Sequence, residues 1–143
     1  MDNANIEIKT ATDNPATVKG SGKSILIVDD DPESRWLLEH LMVSEGYEVR
    51  SADYAEGAMR LLFNFTPDVV LMDVRLPGMN GLQLTRLIRL TSLEKVPIVA
   101  VSAGDAEFAV QEAYEAGCDG YIAKPVDAQT FAATVGGYIE AKR

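Results

Sequence analysis

The chain has a single cysteine, few basic residues and no long apolar run. Cys118 stands alone among 143 residues, so no disulfide can form within the chain, and a reducing compartment is compatible with it. Thirteen basic residues against 22 acidic ones leave a formal net charge of −9. That balance argues against a nucleic-acid or anionic-membrane surface. No apolar run approaches the ~18 residues of a membrane span, and the N-terminus lacks the basic-then-apolar order of a secretion signal. The cytoplasm is therefore the expected compartment. What remains is an ordinary globular composition, 47% apolar, with enough residues for one domain and one core.

Within it, four short apolar runs each end in a polar residue of distinctive chemistry. Ile25-Leu26-Ile27-Val28 leads into Asp29-Asp30. Val69-Val70-Leu71-Met72 leads into Asp73, Ile98-Val99-Ala100-Val101 into Ser102, and Tyr121-Ile122-Ala123 into Lys124-Pro125. The runs are rich in Val and Ile and have the character of strands buried on both faces. If they lie parallel, their carboxyl ends meet at one sheet edge, where open α/β sheets place their sites. Three acids, a hydroxyl and an ammonium then converge, although they are spread from position 29 to position 124.

The segments between these runs have helical spacing. Residues 1–23, ending Lys19-Gly20-Ser21-Gly22-Lys23, have the composition of a flexible N-terminal tail. Ile6-Glu7-Ile8 alternates like a strand but is very short. From Ser24 the pattern predicts strands over about 24–29, 47–51, 69–72, 96–101 and 120–123. It predicts helices over about 32–45, 55–65, 81–90 and 105–116, and a last helix from a cap at Asp127 to about 141. Pro32 opens the first helix, and Gly46 and Gly117 stop the first and fourth. Asp105 is the expected cap of the fourth. Five βα units with right-handed crossovers make an α/β, doubly wound, five-stranded parallel sheet with five helices. In helix one, Leu37, Leu38, Leu41 and Met42 share a face expected in the core. In helix three, so do Leu82, Leu84, Leu87 and Ile88.

Together the motifs Ile-Leu-Ile-Val-Asp-Asp-Asp-Pro (25–32), Val-Leu-Met-Asp-Val-Arg-Leu-Pro-Gly-Met-Asn-Gly (70–81), Val-Ser-Ala (101–103) and Gly-Tyr-Ile-Ala-Lys-Pro (120–125) resemble the receiver domain of bacterial two-component response regulators, of the chemotaxis-regulator-like kind. The resemblance covers 24–143. It implies a flavodoxin-like sheet of order 2-1-3-4-5 and a signalling phosphoacceptor, not a turnover enzyme. Asp73 is the expected phosphorylation site. A carboxylate at a strand end, followed by a Pro-Gly loop, can project as a nucleophile toward phosphorus. Mg²⁺ removes the repulsion between that carboxylate and an anionic phosphoryl group. The resemblance implies Asp30, Asp73 and the backbone carbonyl of Arg75 as its direct ligands, with Asp29 acting mainly through water. Asp31 is expected to cap helix one. Lys124 supplies a point cation to a phosphoryl oxygen, aimed by a cis bond to Pro125 in the family. Ser102 is the implied switch hydroxyl, and Tyr121 the aromatic that turns inward as Ser102 moves.

The implied partners are a histidine kinase or histidine phosphotransfer protein as donor, and a downstream target on the helix-four, strand-five, helix-five face. No direct nucleic-acid contact and no membrane contact are expected. Trp36, His40 and Val43, at i, i+4 and i+7, form a stripe on helix one beside the acids. It suits docking of the donor helix, or equally covers the domain's own surface or tail. Arg75 and Gly104 flank Asp73 and Ser102 at positions that influence hydrolysis in the family. A glycine at 104 supplies no side chain to orient a water.

Other functions fit less well. A flavin-binding relative of this sheet needs a hydroxyl- and glycine-rich phosphate loop after strand one, where this chain has Asp-Asp-Asp-Pro. A haloacid-dehalogenase-type phosphatase carries its nucleophile after strand one. A degenerate receiver would lack an acid or the lysine. With nothing after Arg143 in this sequence, a DNA-binding output domain is not expected.

Overall fold

The computed structural model describes residues 7–9, 22–103 and 106–141. Its elements run β1 (Glu7–Lys9), β2 (Ser24–Val28), α1 (Pro32–Val43), β3 (Glu48–Ala52), α2 (Ala55–Leu62), β4 (Val69–Met72), α3 (Gly81–Arg89), β5 (Ile98–Ser102), α4 (Ala106–Ala116), β6 (Gly120–Ala123) and α5 (Phe131–Ala141). The sheet order is β1-β3-β2-β4-β5-β6. From β3 to β6 every pairing is parallel, which is the expected 2-1-3-4-5 order of five strands. β1 adds a sixth, antiparallel strand on the outer edge of β3, with Ile8 opposite Arg50. It lies inside the segment expected as a tail. The rest of residues 1–21, together with Gly104 and Asp105, lies outside the described residues.

Strand periodicity divides the core into two layers. Leu26, Val28, Val70, Met72, Ile98 and Ala100 face α2, α3 and α4, while Ile25, Ile27, Val69, Leu71, Val99 and Val101 face α1 and α5. Helices cover both faces, so the central strands β2, β4 and β5 carry apolar residues without alternation. At Gly117 φ is +116°. This is the left-handed conformation that ends α4 there, since a side chain resists it.

Several expected boundaries shift. α2 stops at Leu62; Phe65 lies beyond it, half-buried against the core, with the Arg50 guanidinium 4.2 Å above its ring. α5 starts at Phe131, not next to Asp127. The Asp127 carbonyl accepts from the Thr130 and Phe131 amides and its carboxylate from the Gln129 amide, so the cap closes a separate turn first. In α1, Leu38 and Met42 are buried but Leu37 is 36% exposed. Glu39 takes the inward position beside Leu38 and accepts a hydrogen bond from the buried Ser51 hydroxyl of β3. In α3, Leu84 and Ile88 are buried and Leu82 packs against them, whereas Leu87 points outward.

Candidate functional site

The acids stand at the sheet edge because the ladder runs one residue past the strands that carry them. The Asp29 amide donates to the Ala52 carbonyl at 3.1 Å, and the Asp73 amide to the Val28 carbonyl at 2.8 Å. Each carboxylate is thus fixed by backbone hydrogen bonding before any side chain is considered. The loop from 73 to 80 is then drawn tight. The Gly81 amide donates to the Val74 carbonyl at 2.9 Å, and a Cβ at Gly81 would sit 2.3 Å from the Asp73 carbonyl oxygen, so only glycine fits. Asn80 and Gln83 form a reciprocal capping box that starts α3.

Asp29 and Asp73 are buried, whereas Asp30 is exposed. One carboxylate oxygen from each of the three lies within 4.8 Å of the others. Lys124 Nζ bridges the two buried acids, at 2.8 Å from Asp29 Oδ2 and 2.9 Å from Asp73 Oδ2. Burial by itself would lower the Lys124 pKa. The hydrogen bonds and charges of Asp29 and Asp73 outweigh that and hold it above its ordinary value. The Lys124–Pro125 peptide bond is cis.

Asp73 Oδ1 accepts from the Ser102 hydroxyl at 3.2 Å and the Arg75 amide at 2.8 Å. Asp29 is engaged to the same extent, with three hydrogen bonds to its carboxylate, one of them from Lys124. Its Oδ1 accepts from the Asp31 amide, its Oδ2 from the Ser34 hydroxyl at 2.7 Å, and its carbonyl from the Arg35 guanidinium. The Tyr121 hydroxyl donates to the Ser102 carbonyl at 3.3 Å, which places this half-buried ring against the strand carrying the hydroxyl. Asp31 caps α1, accepting from the Ser34 amide at 3.1 Å.

The structure therefore brings together Asp29, Asp30, Asp73, Ser102, Lys124 and Tyr121, with the Arg75 backbone at their margin. The helix-one stripe is a separate feature. Trp36 is 59% exposed and stacks on His40 with ring centroids 5.0 Å apart. Val43, at its far end, is half-buried against the core. Ser34 and Arg35, which fix Asp29, were not singled out in the sequence. A serine at helical position 34 carries no signal of its own until the fold places it under Asp29.

Chemically, the site is a set of hard oxygen donors around one cation, suited to a divalent ion that prefers carboxylate and water. Two buried carboxylates and one exposed one face a single ammonium, so negative charge is in excess. A doubly wound parallel sheet with such a cluster at the carboxyl ends of its strands defines a class of α/β domain with an acidic pocket at its sheet edge.

Comparison with known proteins agrees. The response regulator receiver domain matches over residues 25–136, and the chain belongs to that family. Phosphorylation on an aspartate by histidine kinases and Mg²⁺ in an acidic pocket are general properties of the family. Protein PilH of Pseudomonas aeruginosa is 35% identical over 112 residues, 78% of this chain and 93% of PilH. Transcriptional regulatory protein AfsQ1 of Streptomyces coelicolor is 33% identical over 78% of this chain. The chain spans about half, or less, of the length of AfsQ1 and of two other regulatory proteins it matches. Among solved structures, the receiver domain of sensor histidine kinase PA1611 from Pseudomonas aeruginosa superposes with a TM-score of 0.78 at 30% identity, over 84% of this chain and 99% of that one. That domain has a magnesium ion coordinated in its active-site cleft. Among the described residues of the present chain, no helix is long and apolar enough to cross a membrane.

Proposed function

We propose that Asp73 accepts a phosphoryl group from a phosphohistidine on a kinase or phosphotransfer protein and passes the signal on as a change of shape. The observation that carries this reading is Lys124 shared between Asp29 and Asp73, with Ser102 on the remaining Asp73 oxygen. An Asp73 carboxylate oxygen attacks phosphorus in line with the phosphorus–nitrogen bond. That bond breaks, and the departing imidazole takes up a proton. Lys124 is positioned to leave Asp73 for a phosphoryl oxygen. Positioning and charge neutralisation carry most of such a reaction. Asp30, Asp73 and the Arg75 carbonyl would hold Mg²⁺, which neutralises charge between the acids and the incoming phosphoryl group. Asp29 would act on that ion mainly through water, as the family resemblance implies.

The acyl phosphate adds nearly two negative charges and new acceptor oxygens. The Ser102 hydroxyl moves from Asp73 to the phosphoryl group, and Tyr121, bonded to the Ser102 carbonyl, follows. The face formed by α4, β6 and α5 is thereby biased between two arrangements and presented to a downstream target. The donor docks on the Trp36–His40 stack at the exposed side of α1, and the protein works in the cytoplasm. It makes no direct nucleic-acid contact and does not turn over substrate. Incubation with phosphoramidate and Mg²⁺, followed by intact-mass measurement, tests this. One phosphoryl group per chain, absent from Asp73→Asn, is the expected result. No adduct, or continuous donor hydrolysis without one, would overturn it.

A further inference from the structure

Residues 74–93 contain three arginines and no acid, in a chain with 22 acids. The outer side of α3 lies in this stretch. Gly78, Met79, Gln83, Arg86, Leu87 and Leu90 line an open groove of about 490 Å³ there. Leu90 is 83% exposed and Leu87 38%. Arg86 is exposed and has no ion-pair partner among the described residues. Its neighbour Arg89 is committed elsewhere, to three backbone carbonyls and Asp119. None of the groove residues belongs to the acid pocket, to the Trp36–His40 stack or to α4 and α5. A single exposed leucine is unremarkable. Two leucines and a methionine lining one concave surface around an unpaired guanidinium are a different matter.

We propose that this groove docks an amphipathic helix of a partner protein whose apolar anchors are flanked by carboxylates. The concave apolar strip accepts side chains spaced three or four residues apart, and Arg86 selects for a carboxylate, which it can hold through two parallel hydrogen bonds. Charge complementarity favours this occupant over others. A single helix can confine its carboxylates to the acid-free stretch 74–93, whereas a second copy of the chain, an anionic bilayer or a nucleic acid presents an extended negative surface that also meets the rest of a body of net charge −9. The groove also begins in the loop that leaves Asp73, so its occupant sits within a few residues of the phosphoacceptor without touching it.

The test uses the full ¹⁵N-labelled chain without a phosphodonor, and so stands apart from the reading of Asp73. The probe is a synthetic Leu/Glu amphipathic helix, with its Leu/Lys counterpart as control. Amide shifts concentrated at 78–90, affinity reduced about tenfold by Arg86→Glu and further by Leu90→Asp, and no change with Tyr114→Asp are expected. All three substituted side chains are solvent-exposed, and circular dichroism checks that the variants remain folded. No binding, equal affinity for the Leu/Lys helix, or shifts that map to α1 or to α4 and α5 would overturn the proposal. So would self-association, or binding to phosphatidylglycerol vesicles, that Leu90→Asp abolishes.

Discussion

Two ion-pair systems sit at opposite ends of the same sheet. At the amino ends of the strands, Arg89 donates to the carbonyls of Gly117, Glu94 and Val96 and to the Asp119 carboxylate, 2.8 Å away. Asp119 also accepts from the Ile98 amide at 2.9 Å. One cation meets one carboxylate, and the other donors find neutral carbonyls. At the carboxyl ends, one Lys124 ammonium serves two buried carboxylates, with a third within 4.8 Å. The same kinds of group therefore do opposite work. The balanced clasp ties α3 and α4 to β5 and β6, while the unbalanced cluster keeps negative charge in reserve for a cation to neutralise. The two systems differ in charge stoichiometry, not in the presence of ion pairs.

The contrast can be broken by substitution. The largest effect is expected at the clasp. Arg89→Ala strands three carbonyls and a carboxylate and should cost about 2–3 kcal/mol in urea unfolding. An unchanged midpoint would remove the distinction. At the other end the sign reverses. Asp73→Asn, measured without divalent ions, should raise stability by about 1 kcal/mol, because it relieves repulsion between acids. A loss of stability would mean that the cluster is a fastening after all.

The pH dependence sharpens the same point. Lys124 has a folded pKa above its ordinary 10.5. Its contribution is therefore complete below pH 10.5 and is lost as pH rises through the folded value. Wild-type protein should lose stability in that alkaline window, and Lys124→Met should lose less. Equal slopes would contradict the pairing.

The smallest signal is a chemical one. Cys118 is buried beside the clasp, next to the Gly117 carbonyl that Arg89 holds, and burial pushes its thiol pKa up. Iodoacetamide should label it slowly in the native chain and faster in Arg89→Ala. Equal rates would show that the clasp does not guard that corner.

The site was far more legible in the sequence than the clasp. Asp29, Asp30, Asp73, Ser102 and Lys124 each follow an apolar run, and parallel strands oblige such residues to meet. The clasp has no such marker, because an arginine at the end of a helix finds its three carbonyls only after the chain has folded. Buried Glu39 was hidden for a related reason, since its partner Ser51 comes from a strand that periodicity alone does not align with helix one. Leu37 and Leu87 were expected in the core because helical spacing places them beside it, but the sheet covers a narrower arc of α1 and α3 than the apolar residues span. Three-residue β1 lies below the length at which alternation is a signal, and only its pairing with β3 reveals it.

The most direct measurement is the location of the acyl phosphate itself. After incubation with phosphoramidate and Mg²⁺, borohydride reduction converts a phosphorylated aspartate to homoserine, and peptide mass spectrometry reads the position. Homoserine at 73, and at no other aspartate, is the predicted result. Homoserine at 29 or 30, or a phosphoryl group on His40 with position 73 unmodified, would contradict the account.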